Sequence, residues 1–382
     1  MQDFDEDFEI TPNQVWLNAA SEGPLPTVSA KALTEAVYWK SSPERLTLAK
    51  FSETPLLLKN SIAKLIHVDA KDIILGNSAT YGMHLLSNGL SLKASDQVLV
   101  MQNDFPTDIL PWLHLKLNGV DIVQLKSEGP VLSVEEIIAA ITPDTRVICL
   151  PMVHSFSGWA LDIKSIGAIC HAKGIFFIVN MSQVFGALPV DVSTLPVDAV
   201  VCAGYKWLLG PYGTGFCWIK PEWREQLHYP QSYWISLLDD HALNSDGDIA
   251  LPVNTSSRKS DVFGTANFFN FVPWCTSIDY INNIGIDAIK SHNEILNLHM
   301  HENLDRNYFT ILSPSIELGL TSIIVITHKN KANNKIIMEH LKANGVHLAF
   351  WKNTLRISVH LYNTKDDVTR LLTLLNAKGQ SL

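Results

Sequence analysis

The chain has 382 residues, of which 47% are hydrophobic and 18% charged, so intrinsic disorder is excluded as its main state. This length predicts two domains, or one large domain with an appendage. The net charge of −9 argues against nucleic acid as the main partner, because phosphate backbones bind to basic surfaces. No apolar run approaches the roughly 20 residues of a membrane helix, and the acidic N-terminus has no signal-peptide pattern. We therefore expect a cytoplasmic protein without a membrane partner.

Residues 72 to about 220 alternate between short apolar runs and helical patterns. Strands that are apolar on both faces and separated by helices predict a parallel sheet covered by helices on both sides. Ligands bind such sheets at the carboxyl ends of the strands, so functional residues are expected just after strands. The patterns predict strands at 73–75, 97–101, 121–125, 147–153, 175–179, 199–202 and 216–219, and helices at 81–88, after 108, from 133 and at 163–172.

The pattern changes after about residue 261. The polar stretch 252–260 is predicted as a loop between two units. We predict an N-terminal arm with a large α/β domain over residues 1–260, and a smaller α+β domain over 261–382. In the second unit, helices are predicted at 276–284, 287–304, 334–344 and 365–375, and strands at 322–327 and 355–359.

The cysteine and histidine patterns favour no metal or redox site. Five cysteines are scattered without a C-x-x-C pair, which predicts buried, reduced thiols. His299 and His301 are two residues apart, so on a helix they face different directions, and no third ligand accompanies them. We therefore expect no bound metal.

The densest chemical signal surrounds Lys206, which stands just beyond the apolar run at 199–202 and before a turn with Gly210, Gly213 and Gly215. A lysine that emerges from a buried strand into a cleft is partly desolvated, which lowers its pKa and makes it an amine nucleophile. Taken alone, a lysine in this position is more often an ordinary surface residue. Its neighbours in the sequence favour the catalytic interpretation.

Three other segments follow predicted strands. Asn180 and Gln183 are placed to reach a planar heteroaromatic ligand above the sheet edge. The run GNSAT at 76–80 lies between a strand and a helix, where backbone N–H groups, hydroxyls and the helix dipole suit a phosphate; the same run also suits an ordinary helix cap. Phe105 follows the strand at 97–101, and either stacks on a bound ring or belongs to the core.

Together, these residues make the sequence resemble the class V aminotransferase family of pyridoxal 5′-phosphate (PLP) enzymes. This family includes cysteine desulfurases, kynureninases and isopenicillin-N-epimerase-like proteins. The resemblance covers residues 16–375. It implies the PLP-dependent transferase fold of type I: an α/β domain with a mostly parallel central sheet and flanking helices, plus a smaller α+β C-terminal domain. It rests on motifs in the family's order: WLNAASEGPLP (16–26), GNSAT (76–80), DFPTDILPW (104–112), VHSFSG (153–158), NMSQVFG (180–186), AGYKWLLGPYGTG (203–215), LRISVHLYNTKDD (355–367) and, more weakly, GTAN (264–267).

The resemblance implies a catalytic role for Lys206, as the Schiff-base lysine that also moves the Cα proton. It implies that Phe105 stacks on the pyridine ring and that Gln183 bonds to the phenolic oxygen. Further cofactor contacts are implied for Ala79, Thr80 and Tyr205 at the phosphate, and for Asp108, Ser155 and Asn180 elsewhere in the site.

The resemblance also implies a homodimer and a small amino-acid substrate. Gly264 and Thr265 would reach the phosphate of the partner subunit's cofactor. Arg356 would bind the substrate carboxylate as a bidentate fork, and Asn18 and Ser21 would lie in the adjoining wall.

The sequence departs from the family at Asn180, where an aspartate normally pairs with the protonated pyridine nitrogen. A neutral amide cannot stabilise the pyridinium in the same way, so we expect weakened carbanion chemistry and slow transamination. On this hypothesis, Asn180→Asp raises the transamination rate. Residues 323–356 contain no cysteine, which argues against persulfide transfer from cysteine.

Three functions remain open at this point. The first is transamination, or a related Cα–H reaction, of a small α-amino acid. The second is cleavage of a Cβ bond, as in C–S lyases or kynureninases. The third is a non-catalytic relative, which Asn180 alone favours and which the intact Lys206, Thr80, Gln183 and Arg356 oppose.

Overall fold

The computed structural model describes residues 4–228, 232–238, 246–250, 257–264, 266–315, 318–319 and 321–382. The strands are β1 (Val15–Trp16), β2 (Ile73–Gly76), β3 (Gln97–Met101), β4 (Asp121–Leu125), β5 (Thr145–Pro151), β6 (Phe176–Asn180), β7 (Ala199–Ala203), β8 (Gly215–Ile219), β9 (Phe309–Ile311), β10 (Ile323–His328), β11 (Val346–His347), β12 (Ala349–Trp351) and β13 (Thr354–Ser358). The α-helices are α1 (Thr27–Ser41), α2 (Leu48–Ile66), α3 (Ala79–Gly89), α4 (Leu110–Leu113), α5 (Val134–Ala140), α6 (Ile163–Lys173), α7 (Pro221–Arg224), α8 (Trp234–Leu237), α9 (Phe268–Ile284), α10 (Ile286–Asn303), α11 (Asn334–Ala343) and α12 (Lys365–Gln380).

The largest sheet in the described part of the chain has seven strands in the order β2-β8-β7-β6-β5-β3-β4. Neighbours from β7 to β4 are parallel, whereas β8 is antiparallel to both β7 and β2. A parallel connection needs a crossover of about a dozen residues or more, usually a helix, and the glycine-rich turn 204–214 provides none. The predicted mostly parallel sheet with flanking helices is confirmed.

Alternate residues of each central strand supply two separate layers of the core. In β6, Phe177 and Val179 pack on one face of the sheet, and Phe176 and Ile178 pack on the other. This burial on both faces explains the continuous apolar runs in the sequence. Four of the five cysteines are buried and Cys275 is half-buried, which confirms the predicted burial for four of them.

The C-terminal part contains a four-stranded antiparallel sheet in the order β12-β13-β10-β9. This sheet shares a core with α10, α11 and α12, which confirms the predicted smaller α+β unit. Strand β1 from the N-terminal arm pairs in parallel with β11, and Asn18 forms a β-bridge with Ser358. The N-terminal arm is thereby held beside β13. The division between residues 260 and 261 stays a prediction.

Several elements differ from the predictions. Helices α1 and α2 have no predicted counterpart, because the apolar residues of α1 do not follow one face and Val28, Val37 and Tyr38 are exposed. The helix predicted after residue 108 is only the single turn α4, followed by a 3₁₀ segment, His114–Asn118. Most of the predicted loop at 252–260 lies outside the described residues.

Strand β5 is shifted from its predicted position at 147–153. It begins two residues earlier and ends at Pro151, while Val153 forms only an isolated bridge with Ala160. Within the described ranges, no helix combines the length and the apolar character that crossing a membrane requires.

Candidate active site

Several of the predicted site residues converge at the carboxyl ends of the parallel strands. Asn180 is the last residue of β6, Lys206 follows β7, and Phe105 follows β3. Strand ends of a parallel sheet meet at one edge, which is why residues distant in sequence share one cleft. The cleft is lined by Ser78, Ala79, Thr80, Phe105, Thr107, Ser155, Asn180, Ser182, Ala203, Tyr205 and Lys206.

Lys206 is the buried amine of this cleft. Its side chain is 6% exposed, and its Nζ lies 5.1 Å from the centre of the Phe105 ring. Burial, together with the nearby charge of Arg356, lowers the pKa of Lys206 to about 8. Among the described residues, Nζ forms no ion pair. A fraction of this amine is therefore neutral and nucleophilic near neutral pH.

We expect this buried ammonium group to destabilise the cofactor-free protein. The folded-state pKa lies below the ordinary 10.5, so stability increases as pH rises from about 8 to 10.5. Lys206→Met should remove the cost of the buried charge and raise the free energy of unfolding at pH 7 by about 3 kcal/mol. Urea unfolding of both cofactor-free proteins at pH 7 and pH 10 tests this; a methionine variant less stable than the wild type at pH 7 would contradict it.

The N-terminus of α3 forms the polar end of the cleft. Ser78 caps the helix by accepting a hydrogen bond from the Tyr81 N–H at 3.2 Å. The Thr80 hydroxyl lies 2.9 Å from that of Thr107, a residue that the sequence analysis did not single out although it lies in the DFPTDILPW motif. Backbone N–H groups at a helix N-terminus, with two adjacent hydroxyls, form a suitable binding site for a phosphate.

The close approach of β8 to this helix start requires glycine at position 215. A Cβ added to Gly215 would lie 2.4 Å from the backbone carbonyl carbon of Ser78. We expect Gly215→Ala to displace the start of α3, lower stability by about 1–3 kcal/mol and weaken phosphate binding. Thermal unfolding and cofactor titration measure both effects. The matched control is Gly129→Ala, whose new Cβ would have only ordinary contacts at 3.6 Å or more; equal effects of the two substitutions would contradict this account.

Asn180 is held by two hydrogen bonds. Its Nδ2 donates to Asp108 Oδ1 at 2.7 Å, and its Oδ1 accepts from the Ser182 N–H at 2.9 Å. Asp108 therefore lies directly behind Asn180 instead of lining the cleft. Burial raises the pKa of Asp108 to about 6, and that of neighbouring Asp104 well above its ordinary value. Asp104 is not among the site residues predicted from the sequence.

Gln183 lies one layer deeper than the resemblance implied. Its Nε2 donates to the Ala20 carbonyl at 3.0 Å and to Ser155 Oγ at 3.2 Å. Its Oε1 accepts from the Trp207 indole N–H at 2.8 Å. Gln183 thus positions Ser155, which lines the cleft. Its contact with a phenolic oxygen stays a prediction.

Tyr205 precedes the lysine and lines the cleft, half-buried. Its ring lies 4.6 Å, centre to centre, from that of Tyr212. Burial raises the pKa of Tyr205 to about 12, so its hydroxyl stays protonated and can donate a hydrogen bond to an anion.

Arg356 on β13 is a buried cation whose partners are all neutral. The guanidinium donates to the Ser155 carbonyl at 2.8 Å, to Ser21 Oγ at 2.5 Å and to Asn18 Oδ1 at 3.4 Å. Its Nε is buried without a partner, and within the described ranges no carboxylate pairs with it. Burial lowers the pKa of Arg356 to about 10, which leaves it charged at neutral pH. A buried guanidinium without a carboxylate is well suited to bind one from a ligand.

The last predicted segment gives less information. Gly264 has a left-handed backbone, with φ of 75°, and a Cβ there would meet nothing within 4 Å. Thr265 lies outside the described residues. Their contact with a partner subunit's cofactor stays a prediction.

The chain matches a known protein family over most of its length. The family model "Aminotransferase class-V" matches residues 47–371. This chain belongs to the class-V aminotransferase family. The resemblance drawn from the separated motifs is thereby confirmed, and so is the expectation that the cofactor is PLP.

Two relatives match this class-V chain along almost its whole length. A protein named "Probable cysteine desulfurase" from Methanothermobacter thermautotrophicus is 26% identical, with 97% of this chain and 96% of the relative covered. Isopenicillin N epimerase from Streptomyces clavuligerus is also 26% identical, with 96% of each chain covered.

The similar solved structures confirm the fold. A C-DES mutant with glycine covalently linked to its PLP cofactor has a TM-score of 0.87 at 18% identity, over 98% of this chain and 99% of that one. The apo cysteine desulfurase from Thermococcus onnurineus NA1 has a TM-score of 0.85, also at 18% identity, over 99% and 97%.

The residues present fit PLP chemically. The unpaired amine of Lys206 suits an aldehyde, the Phe105 ring suits a pyridine face, and the start of α3 suits a phosphate. Because Gly215 has no Cβ, β8 can lie close to the start of α3 without a collision with Ser78.

Proposed function

We propose that this protein is a PLP-dependent enzyme that acts on a small α-amino acid through chemistry at the Cα–H bond. One observation carries the proposal: two buried cations that form no salt bridge in the described residues meet at one cleft, because Lys206 lines it and Arg356 donates to the carbonyl of Ser155, which also lines it. Buried charges are normally paired, so two buried cations that form no salt bridge favour a site for anionic ligands. In its neutral amine form, Lys206 suits the cofactor's aldehyde. The Arg356 guanidinium suits a substrate carboxylate.

PLP, when bound, supplies an electron sink for a carbanion at Cα. Lys206 is proposed as the residue that bonds covalently to the cofactor and then takes and returns the Cα proton. Ala79, Thr80 and Tyr205 are proposed to hold the phosphate. Arg356 would fix the substrate carboxylate, which orients the Cα–H bond toward the Lys206 amine.

The reaction after proton removal has two candidates. Transamination is the first. Cleavage of a Cβ–S bond is the second, and it is favoured by the similarity to the cystine C–S lyase C-DES solved with cysteine persulfide, with a TM-score of 0.86 and 18% identity over 96% of this chain and 98% of that one. Residues 323–356 contain no cysteine, so we do not propose sulfur transfer to a thiol in that segment.

Product analysis of the PLP-loaded protein tests the proposal. The protein is incubated separately with L-alanine, L-cysteine and L-cystine. A keto acid formed in one equivalent, with conversion of the cofactor to its amine form, supports transamination. Repeated release of pyruvate with the aldehyde cofactor retained supports C–S lyase activity. A protein that takes up no PLP would contradict both.

We further propose that the protein is a homodimer in which Gly264 and Thr265 contact the partner subunit's cofactor. The outer faces of α2 and α9 support this, since Leu48, Leu57 and Phe269 are exposed there. Light scattering should give twice the 42.5 kDa chain mass. A monomer that still binds PLP tightly would contradict the proposed contact across subunits.

A further inference from the structure

Two buried carboxyl groups, Asp104 and Asp108, lie behind Asn180. Asp108 is 1% exposed and Asp104 is 5% exposed. One oxygen of each is occupied: Asp108 Oδ1 accepts from Asn180 at 2.7 Å, and Asp104 Oδ1 accepts from the Phe105 N–H at 2.7 Å. The second oxygen of each is buried without a donor among the described residues, and the two side chains are within hydrogen-bonding reach of each other.

A single proton shared between the two side chains would satisfy both carboxyl groups. Both groups cannot be ionised together in a buried site, because desolvation and like-charge repulsion both oppose it. The pKa of Asp104 is the more strongly raised, so Asp104 keeps the proton and donates it to Asp108. At neutral pH the pair therefore carries one negative charge, located on Asp108.

Other charged or titratable groups surround this pair. Lys206 faces Asp108 from the end of β7, and the buried, neutral Cys149 faces it from β5. Lys352, from the turn between β12 and β13, faces Asp104 and donates to the Asn103 carbonyl at 2.8 Å. The two lysines favour the ionised form of the pair, and the thiol adds no charge.

The partners of Asn180 fix the orientation of its amide. The Ser182 N–H can only donate and ionised Asp108 can only accept, so a flipped amide would break both hydrogen bonds. The hydrogen bond to the Asp108 carboxylate polarises the Asn180 amide, which makes Asn180 Oδ1 a stronger acceptor. Asn180 lines the cleft, whereas Asp108 does not.

We propose that the Asp104–Asp108 pair supplies the negative charge that position 180 lacks. Asp108 lies behind Asn180 in the structure and acts through the Asn180 amide to keep the pyridine nitrogen of PLP protonated. Asp108 is thus a positioning residue, and Asp104 sets its charge. The inference rests on the proposed function. The charge is retained in the site but moved back by one hydrogen bond.

The test measures the pyridine nitrogen directly. The protein is loaded with PLP carrying ¹⁵N in the ring, and the ¹⁵N chemical shift is followed against pH. Asp108→Asn should lower the pKa of the nitrogen by about one to three units, as expected when a nearby opposite charge is removed. The double variant Asn180→Asp/Asp108→Asn exchanges carboxylate and amide while preserving the hydrogen bond and total charge, so it should restore at least the wild-type pKa.

Two further variants separate charge from packing. Asp104→Asn still offers an N–H to Asp108, so the nitrogen should stay protonated over at least the same pH range. Asp261→Asn removes another fully buried carboxylate, paired with Lys59 at 2.9 Å, and should lower stability without changing the ¹⁵N titration. If Asp108→Asn does not fold, the double variant still tests the proposal, since a pKa lower than that of the wild type would overturn it.

The failures of the two proposals are distinguishable. Wild-type protein that takes up no labelled PLP contradicts the proposed function. Wild type and Asp108→Asn that bind labelled PLP with the same nitrogen pKa overturn the further inference and leave the proposed function in place.

Discussion

Lys206→Ala is expected to remove turnover and the covalent link to PLP together. The amine is proposed both to bond to the cofactor and to move the Cα proton, and no other lysine among the described residues lines the cleft. General acid–base catalysis alone contributes about 10²–10⁴-fold, so the loss in kcat should be at least about 10³-fold. Steady-state kinetics and the visible absorbance of the PLP-loaded protein measure the two losses.

A second variant distinguishes an amine nucleophile from a simple positive charge. Lys206→Arg keeps a cation in the cleft, but a guanidinium does not deprotonate in proteins and cannot play either role. It should be as inactive as the alanine variant. Lys220→Ala, which removes a partly exposed lysine paired with Asp198, should retain wild-type activity and absorbance. Substantial turnover by the arginine variant would contradict the assignment.

Arg356→Ala is expected to cost about 100- to 1000-fold in kcat/KM for α-amino acids, or about 3–4 kcal/mol. The loss arises because the substrate carboxylate would enter a buried site that has lost the guanidinium proposed to bind it. The variant should also raise the pKa of Lys206, which Arg356 lowers in the wild type. Kinetics over a range of pH measure both effects.

Amino-acid amides supply the matched substrate control for Arg356. They lack the carboxylate, so the wild type and Arg356→Ala should process them with similar, low efficiency. Arg224→Ala supplies the matched protein control, because Arg224 is also buried but is paired with Asp72 at 2.6 Å, outside the cleft. Its loss should lower stability and leave kcat/KM unchanged. An equal loss with acids and amides in Arg356→Ala would refute carboxylate binding.

Much of the fold was predictable because the central strands are buried on both faces. Continuous apolar runs identified β3, β6, β7 and β8 to within a residue or two. The helix predicted from residue 133 is α5, whose start is fixed by a capping box between Ser133 and Glu136. Helix α1 was missed, because its exposed apolar residues obscure the periodicity by which an amphipathic helix is recognised. Helix α2 was also missed, although it buries one apolar face.

The sequence predicted which residues lie together in the cleft better than it predicted the contacts that they form. Motifs that follow parallel strands must meet at one edge of the sheet, so Ala79, Phe105, Tyr205 and Lys206 were placed together correctly. Local patterns carry no information on side-chain partners that are distant in sequence. The hydrogen bond from Asn180 to Asp108 spans 72 residues, and only the folded structure shows that it exists.

The most direct measurement is mass mapping of the PLP-loaded protein after borohydride reduction. Reduction makes the covalent link between cofactor and lysine permanent, so proteolysis and mass spectrometry locate it. The account predicts a phosphopyridoxyl group on the peptide that contains Lys206 and on no other peptide. The label on a different lysine, or no label on protein incubated with PLP, would contradict the account.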